Sequence, residues 1–429
     1  MTREQRIESS THGLWADTAP PLATQPLTED TSVDLAIVGA GYTGLSSALH
    51  VRELGLSVAV LDAVEVGFGG AGRNVGLVNA GLWLQPRDVI KALGTSYGER
   101  LIAELGNAPQ RVFELIDRHA IACEAKRNGT LHCAVGRKGL RELEQRVAQW
   151  RERGAPVELL TREQALAEVG SNAFAGAMLD RRAGTVQPLA YARGLATAAI
   201  AAGARIHSQS PVNRAERKGT RWELSTPNGG VSADWLVMAT DAYTRGPWAG
   251  IRHEQVALPY FNLATRPLSP KLLEQILPSR RGAWDTQSVL TSFRLDDAGR
   301  LIFGSVGALR GWGTAVHTAF ARRALRTLFP QLAKVEFEYA WYGTIGMTSD
   351  SIPRFHRFGP NAVGVSGYNG RGIAPGTAFG RLLAQHVAGK LPEQDIPLPT
   401  THVRPPSLRR IKELTYEYGA RLVHLYASR

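Results

Sequence analysis

Cysteine is scarce in this chain of 429 residues, and the two that occur narrow its chemistry. Cys123 and Cys133 stand ten positions apart, a spacing that fits neither a zinc site nor a Cys-x-x-Cys redox pair. We therefore expect no metal, and a reducing, cytoplasmic setting is the simplest interpretation. No run approaches the roughly 18 apolar residues that a membrane span needs. The polar start MTREQRIESSTHG also lacks the apolar core of a secretory signal.

Acidic residues are fewer than basic ones. The chain has 50 Lys and Arg and 38 Asp and Glu, which gives a net charge of +12. Such a surplus attracts anionic partners, which include nucleic acid, lipid head groups and carboxylate substrates. No nucleic-acid-binding motif accompanies the charge, so we expect no nucleic-acid partner. The apolar fraction of 44% and the length are typical of a globular protein of two or three domains.

One stretch, residues 33–62, organises the chain. Its apolar start, Val33–Val38, predicts a buried strand, and a helix is expected to run to about Leu54. A second apolar strand, Ser57–Leu61, ends on the carboxylate of Asp62. Strand, Gly-x-Gly-x-x-Gly turn, helix, strand and acid, in this order, are typical of a dinucleotide site. The motif does not distinguish NAD from FAD.

Each part of this unit has a physical role. Gly39 permits the tight turn, Gly41 lets backbone approach a pyrophosphate, and Gly44 lets helix and strand pack closely. The helix N-terminus offers N–H groups to phosphates, and an acid at the end of the second strand can accept hydrogen bonds from a ribose. The candidate residues are Gly39, Gly41, Tyr42, Thr43, Gly44 and Asp62.

The following chain predicts helices between residues 86 and 153, with Pro109 as a break or a helix start. Short strands are expected at 205–208, 211–217 and 221–226, before the apolar strand Trp235–Thr240. This meander favours FAD, because simple NAD-binding folds continue with further βα units. Alternation predicts a sheet-rich second domain from strands at 256–267, a hairpin at 289–305 and a strand at 336–342, before a helix at 376–388.

Four motifs resemble the FAD-dependent D-amino acid oxidase and glycine oxidase superfamily over about residues 30–390: IVGAGYTGLSSALHVRELG, GGAGRNVG, LVMATDAYT and GYNGRGIAPGTAFG. The segments GRNVGLVNAG, LDRRAGTVQP and WDTQSVLTS most resemble bacterial L-pipecolate oxidases, with γ-glutamylputrescine oxidases next. The resemblance implies an α/β fold, a two-layer FAD-binding Rossmann-like domain with a mixed-sheet substrate domain. We expect the former at 1–86, 152–245 and 340–429, and the latter at 87–151 and 246–339.

The resemblance also implies the residues around the FAD. The second glycine-rich segment would run along the flavin, and the late segment would begin a helix facing it, with Arg371 within reach of the pyrophosphate. These further candidates are Gly72, Arg73, Asn74, Val212, Thr240, Gly370, Arg371, Gly372 and Ile373. Asp241 stands where the family usually has glycine, which we expect to be tolerated if the carboxylate is solvated. Neither cysteine lies near the late motif, so we expect non-covalent FAD.

The implied reaction is oxidation of an amino acid C–N bond by hydride transfer to flavin N5. L-Pipecolate, giving Δ1-piperideine-6-carboxylate in lysine catabolism, is the first candidate substrate. The alternative is γ-glutamylputrescine or another amine, and a more distant one is an FAD-binding partner without turnover. Candidates to touch substrate are Tyr260, Arg294, Tyr342, Tyr368 and Asn369. Trp284, Asp285, Met347 and Arg354 can border the pocket, and no residue, His253 included, is assigned as base.

Other interpretations remain for two of these candidates and for the tail. Arg294 can instead pair with Asp296 or Asp297, and Tyr260 can be a core aromatic. The electron acceptor is O₂ or a respiratory acceptor. From residue 408 to 425 a basic amphipathic pattern predicts either peripheral contact with the inner face of the membrane or a helix packed on the protein itself.

Overall fold

A computed structural model describes residues 12–404 and 406–426, without the side chains of Arg410 and Tyr426. The described chain forms a nine-stranded sheet, an eight-stranded sheet and a two-stranded ribbon. In chain order, the strands are β1 (Thr31–Val38), β2 (Val58–Leu61), β3 (Leu77–Val78), β4 (Thr130–Ala134), β5 (Val157–Leu160), β6 (Gly176–Asp180), β7 (Gly184–Thr185), β8 (Arg205–His207), β9 (Arg214–Lys218), β10 (Arg221–Ser225), β11 (Gly230–Met238), β12 (Val256–Pro267), β13 (Gly282–Asp285), β14 (Thr291–Leu295), β15 (Arg300–Val306), β16 (Phe337–Met347), β17 (Arg354–Gly359), β18 (Ala362–Ser366) and β19 (Thr400–Thr401).

The α-helices pack on both large sheets. In chain order, they are α1 (Leu14–Thr18), α2 (Tyr42–Glu53), α3 (Pro86–Arg118), α4 (Gly136–Arg151), α5 (Arg162–Val169), α6 (Pro188–Ala201), α7 (Ala249–His253), α8 (Pro270–Leu273), α9 (Gly313–Leu328), α10 (Ile373–Val387) and α11 (Arg409–Tyr426). No helix within the described ranges is both long and apolar enough to cross a membrane.

The nine-stranded sheet confirms the unit predicted for residues 33–62. Strand β1 pairs in parallel with β2 on one side and with β11 on the other, and α2 connects β1 to β2. The carboxyl ends of these three strands therefore meet at one edge, the place where open α/β sheets bind their ligands. The predicted meander is present as β9 and β10, which pair with each other in antiparallel fashion, and β10 in turn pairs with β11.

The eight-stranded sheet has the order β16-β12-β15-β14-β13-β4-β6-β5. It contains the predicted hairpin as β14 and β15, and its mixed pairing agrees with the predicted fold class. It also contains β5 and β6, within the segment 152–245 that we assigned to the FAD-binding domain. Strand β16 likewise stays in this sheet up to Met347, past our boundary at residue 340. The domain division remains a prediction. We revise it by assigning residues 157–180 and 340–347 to the second domain, because their strands belong to the eight-stranded sheet.

Helix α3 corrects the predicted break at Pro109. The helix continues through Pro109, and its non-helical residue is Gly94, with φ 74° and ψ 167°. A proline inside a helix leaves the carbonyl four residues earlier without its partner. Here that carbonyl, on Leu105, accepts a hydrogen bond of 2.9 Å from the backbone N–H of Gly81. The tertiary contact thus satisfies the group that the proline leaves unpaired.

Candidate active site

A cavity of about 940 Å³ lies between the two large sheets. The carboxyl ends of β1, β2 and β11 form one side, and strands β12 to β16 contribute the other. Sixteen of the twenty predicted site residues line it: Gly39, Gly41, Tyr42, Thr43, Asp62, Arg73, Asn74, Val212, Thr240, Tyr260, Tyr368, Asn369, Gly370, Arg371, Gly372 and Ile373. The fold thus brings segments more than 300 positions apart around one space.

The turn after β1 has the geometry that phosphate binding needs. Gly39 adopts φ 106°, and a Cβ there would stand 2.7 Å from the Ala239 carbonyl oxygen. At Gly41 a Cβ would meet nothing nearer than 3.8 Å, so backbone borders open cavity. No side chain caps the N-terminus of α2. Its first N–H groups and the positive end of its dipole are therefore available to an anion.

Asp62 braces this turn from the end of β2. Its carboxylate accepts hydrogen bonds from the backbone N–H groups of Ala40, at 2.8 Å, and of Val64, at 2.9 Å. Burial raises the pKa of Asp62 above its ordinary value. Each carboxylate oxygen has more than one lone pair, so the side chain can still accept from a ligand hydroxyl in the cavity.

Asp241, which we expected to be tolerated if its carboxylate is solvated, is half-buried at the cavity wall. Its carboxylate accepts from the Gly367 N–H at 2.7 Å and from Gln255 Nε2 at 3.0 Å. Burial raises the pKa of Asp241. Its backbone lies in the left-handed region, at φ 42°, which favours glycine and tolerates aspartate. The carboxylate also ties the end of β11 to the late glycine segment.

The second glycine-rich segment, residues 69–76, is stabilised mainly by hydrogen bonds within the segment. Asn74 Nδ2 donates to the Gly70 carbonyl at 2.8 Å and to the Tyr42 hydroxyl at 3.1 Å, and its Oδ1 accepts from the Gly76 N–H. The Arg73 guanidinium lies 4.4 Å above the ring of Phe68. Arg73 therefore presents a cation to the cavity, whereas the amide of Asn74 is largely occupied in holding the loop.

The late segment joins the cavity to α2 through one hydroxyl pair. Tyr368 Oη and Thr43 Oγ1 are 2.7 Å apart, and burial raises the pKa of Tyr368. Asn369 adopts φ 53°, and its Oδ1 accepts from the Thr348 N–H at 2.8 Å. Helix α10 begins at Ile373, three residues before the predicted start, again without a side-chain cap. A second free helix N-terminus thus borders the cavity.

Arg371 lines the cavity beside two tryptophans. Its guanidinium is 4.7 Å from the ring of Trp83 and 5.6 Å from that of Trp284. Nη1 donates to the Ala80 carbonyl at 2.9 Å, and Nε has no partner among the described residues. Burial first, and then the charge of Arg146, lowers the pKa of Arg371 to about 9. The side chain is therefore a buried donor group, and no carboxylate in the described part of the chain forms an ion pair with it.

Beside Arg371 stand two residues that our sequence analysis missed. His132 on β4 stacks on Trp284 with ring centroids 4.7 Å apart, and its Nδ1 has no partner among the described residues. Burial and the charges of Arg146 and Arg371 hold the pKa of His132 well below its ordinary value. Arg146 on α4 donates to the Trp83 carbonyl at 2.7 Å and lies 3.6 Å from a carboxylate oxygen of Glu142.

Tyr260 faces the cavity from β12. Its hydroxyl lies 2.7 Å from Ser292 Oγ on β14, and burial raises the pKa of the phenol. Trp284, Asp285 and Met347 line the same space, as we expected. Asp285 is engaged by its own turn, since it accepts from the Thr291 hydroxyl at 2.7 Å. Tyr260 remains a candidate to contact the substrate.

Arg294 does not reach the cavity, and its prediction as a substrate ligand is wrong. The side chain is 1% exposed, and Nη1 donates to the Val186 carbonyl. Nη2 lies 3.8 Å from a carboxylate oxygen of Glu124, which replaces the pairing with Asp296 or Asp297 considered above. The guanidinium holds neighbouring loops together, away from the space where a substrate can enter.

The remaining three of the twenty predicted site residues also lie outside the cavity wall. Tyr342 packs against the core of the eight-stranded sheet. A Cβ on Gly44 would collide with the Gly39 carbonyl, in line with the predicted close packing of helix and strand. A Cβ on Gly72 would strike the Gly67 carbonyl and the His12 ring, so Gly72 serves packing.

Arg354, which we expected to border the pocket, and His253, which we did not assign as a base, also lie outside the cavity wall. Arg354 pairs with Asp350 at 2.9 Å, and His253 is exposed at the end of α7. Neither lines the cavity.

The signal for the missed residues is weak in the sequence. His132 lies in a short apolar strand, and Arg146 lies in a helix whose charged residues look like a solvated face. Both are buried because β4 and α4 pack beside β13 and the segment around Trp83. The sequence alone does not show which residues of these distant elements lie opposite one another.

The donor set fits an FAD molecule. Two uncapped helix N-termini, bare backbone at Gly41 and Gly372, and the carboxylate of Asp62 suit a dinucleotide with two phosphates and a ribose. Cys123 and Cys133 are both buried thiols, and neither lines the cavity. Their positions agree with the non-covalent attachment that we predict.

Residues 34–386 match the family described as FAD dependent oxidoreductase, abbreviated DAO. The chain belongs to this family. It is therefore an FAD-dependent oxidoreductase of amino acids or amines. The γ-glutamylputrescine oxidoreductase of Escherichia coli (strain K12) is 33% identical over 388 residues, 89% of each chain. The probable oxidoreductase OrdL of Haemophilus influenzae is 30% identical over 370 residues, 85% of each chain.

A solved relative supports the fold of this DAO-family chain. The crystal structure of glycine oxidase from Geobacillus kaustophilus has a TM-score of 0.69 at 21% identity, covering 84% of this chain and 96% of that one. The structure of L-proline dehydrogenase from P. horikoshii has a TM-score of 0.68 at 17% identity, covering 85% and 96%. The predicted D-amino acid oxidase-like architecture is confirmed.

Gly41→Ala tests the cofactor cradle without disturbing the fold. Gly41 has extended backbone, at φ −91° and ψ −173°, and its Cβ would meet no close protein atom. We expect the Kd for FAD to rise at least about tenfold, or about 1.4 kcal/mol, measured by flavin fluorescence quenching on titration of the apoprotein. The free energy of unfolding of the apoprotein should change by less than about 0.5 kcal/mol.

The matched control for this change is Gly419→Ala, in α11, where an added Cβ also meets nothing within 4 Å. It should leave FAD affinity unchanged. Unaltered affinity in Gly41→Ala would show that the pyrophosphate does not approach this backbone.

Proposed function

We propose that the enzyme oxidises the C–N bond of a small amino acid, with L-pipecolate as the first candidate and Δ1-piperideine-6-carboxylate as the product. The observation that carries this proposal is Arg371, a buried guanidinium in the cavity wall. Among the residues that the structure describes, its Nε has no partner and no carboxylate forms an ion pair with it. We propose this role for Arg371 in place of the contact with the pyrophosphate that we expected from the sequence. A planar guanidinium is well suited to bind a carboxylate through two hydrogen bonds.

The surroundings of Arg371 support a compact, partly apolar substrate. Trp83 and Trp284 flank the guanidinium and offer flat apolar faces to a saturated ring. Trp83 is itself held by a hydrogen bond from Nε1 to the Asn369 carbonyl. A rigid pair of walls limits the positions that a bound amino acid can adopt, which is how an enzyme aligns a reacting C–H bond.

We propose His132 as the group that deprotonates the substrate amine. Bound FAD supplies the group that accepts the hydride. An amino acid arrives with a protonated nitrogen, and this proton must leave before the neighbouring carbon can release a hydride. A backbone contact with Asp285 raises the pKa of His132, as an accepting carbonyl would, which leaves Nδ1 as the acceptor nitrogen of the ring. The two nearby arginines favour the neutral ring.

A second candidate substrate is γ-glutamylputrescine, favoured by the relative of that name at 33% identity. Such an amine would be expected to enter a groove lined by available acids. Four acids line the cavity, and one of them, Asp62, belongs to the cofactor side. The other three are engaged by the protein: Asp241 and Asp285 accept hydrogen bonds from their own chain, and Glu142 lies beside Arg146. This pattern favours an amino acid over a polyamine. We further propose a cytoplasmic enzyme that passes electrons to O₂ or to a respiratory acceptor.

The substrate is tested by anaerobic bleaching of the flavin. Purified enzyme is mixed with L-pipecolate, L-proline, sarcosine, D-amino acids or γ-glutamylputrescine, and the visible flavin absorbance is followed. We expect L-pipecolate to bleach it fastest, because it combines a carboxylate with a compact ring. Bleaching by γ-glutamylputrescine alone would contradict the first candidate, and bleaching by none would favour an FAD-binding partner without turnover.

Arg371→Gln tests the carboxylate anchor. Loss of a charge-assisted hydrogen bond costs about 1.5–3 kcal/mol, so KM for the amino acid should rise roughly 10- to 100-fold. The corresponding cyclic amine without a carboxylate should be affected far less. Arg354→Gln, in a cation outside the cavity, is the matched control. Equal losses for both substrates would exclude Arg371 as the anchor.

His132→Gln tests the proton acceptor through the pH profile of kcat/KM. The low pKa keeps wild-type His132 neutral at pH 7, so the unmodified enzyme can use the protonated substrate there. The kcat/KM of the variant should be at least about tenfold below the wild-type value at pH 7. It should return toward the wild-type value as the pH approaches the pKa of the substrate amine. His253→Gln, outside the cavity, should keep the wild-type profile. An equal loss at every pH would indicate a packing role instead.

A further inference from the structure

Helix α11 is seated on the protein through its polar side. Glu413 accepts a hydrogen bond of 3.2 Å from the Ala257 N–H of β12. Arg421 is buried and pairs with Glu417, and His424 is fully buried with its ring stacked 3.7 Å from that of Phe320 on α9. The helix therefore packs on the protein itself, which is one of the two arrangements that its sequence pattern predicted.

The opposite side of α11 is apolar and exposed. Of thirteen large hydrophobic side chains exposed in the described ranges, eight lie between Leu408 and Leu425. Six recur at intervals of three or four residues and form what we call the outer stripe: Leu408, Ile411, Leu414, Tyr418, Leu422 and Leu425. Each is about half exposed or more. Trp312 is 53% exposed and lies next to the outer stripe. The Arg421 guanidinium contacts both, at 4.7 Å from the Trp312 ring and 5.0 Å from the Tyr418 ring.

The segments outside the described ranges offer little that matches this stripe. Residues 1–11 contain only two large apolar side chains, Met1 and Ile7, and residues 427–429 are Ala-Ser-Arg. Pairing of the outer stripe with a second copy of the chain would bury too little area for a stable interface. An 18-residue helix is about 27 Å long and 10 Å wide, so a helix pair buries on the order of 300–400 Å² per partner, below the roughly 800 Å² of a standard interface.

The charge around the outer stripe matches an anionic lipid surface. The acids of α11, Glu413 and Glu417, are mostly buried and paired with arginines, so no acid of the helix opposes a negative surface. Lys412 is exposed beside the stripe. The whole chain carries +12, and residues 403–429 carry six cations against two acids. An amphipathic helix with an apolar face binds anionic membranes through buried apolar area and electrostatic attraction together.

We propose that the outer stripe of α11, with Trp312, docks this enzyme on the surface of an anionic lipid bilayer. The helix would lie in the interface, with its polar side kept on the protein. This inference rests on α11, Leu408 and Trp312 and is independent of the proposed substrate. It gives the predicted peripheral membrane contact a defined surface.

Vesicle sedimentation tests the proposal with the full-length holoenzyme. Vesicles of phosphatidylcholine with phosphatidylglycerol should pellet the enzyme, and pure phosphatidylcholine should pellet it at least tenfold less well. Binding should weaken as salt is added, because screening reduces the electrostatic part. The double variant Tyr418→Ser/Leu422→Ser should lose at least tenfold in vesicle affinity, with turnover of a soluble substrate unchanged.

The matched control is Leu166→Ser/Ile200→Ser, which removes two exposed apolar side chains elsewhere. It should keep wild-type vesicle binding. Absence of wild-type binding, or equal binding by the Tyr418→Ser/Leu422→Ser variant, would overturn the proposal. A dimer by light scattering that the stripe variant dissociates, together with no vesicle binding, would overturn it in favour of a contact between copies.

Discussion

The close contact between helices α2 and α10 is the constraint on which the active site depends. A Cβ at Gly380 would stand 2.6 Å from the Thr43 carbonyl oxygen, so only glycine allows this approach. Ser46 Oγ donates to the Thr377 carbonyl at 2.7 Å, and Thr43 meets Tyr368 at the cavity. Because the two helices touch near their starting ends, two positive N-termini face one space. One chain thereby builds a site for a long, doubly charged cofactor from segments that are far apart in sequence.

Buried cations set the character of the other half of the cavity. Arg371 and Arg146 are held by backbone carbonyls and tryptophan faces, with one acid, Glu142, near Arg146. Charge buried in this way costs free energy unless it is hydrogen-bonded. A carboxylate ligand would relieve part of this cost, because it brings the missing counter-charge and acceptors. Burial first, and then the charges of Arg146 and Arg371, lower the pKa of His132 and favour its neutral ring.

Local pattern was sufficient for most elements of the fold. The strand, glycine turn, helix and strand of residues 33–62 follow from apolar periodicity and from backbone that only glycine adopts at φ 106°. The sequence-based predictions were wrong or incomplete where a group distant in sequence supplied a hydrogen bond that the local pattern does not show. Pro109 did not end its helix because Gly81 satisfies the freed carbonyl. The Asp241 carboxylate is held at the cavity wall because Gly367 and Gln255 supply donors that its own neighbours lack.

For the site, the sequence by itself determined the cofactor side. Cofactor-side glycines such as Gly39 and Gly41, the acid Asp62 and the starts of α2 and α10 carry their function in short, contiguous motifs. Only the tertiary structure showed which further side chains line the rest of the cavity. Arg294 looked suitable and lies outside the cavity, whereas His132 and Arg146 looked ordinary and line it. The physical reason is that side-chain direction on paired strands depends on register between distant segments, here His132 opposite Trp284, which no local pattern encodes.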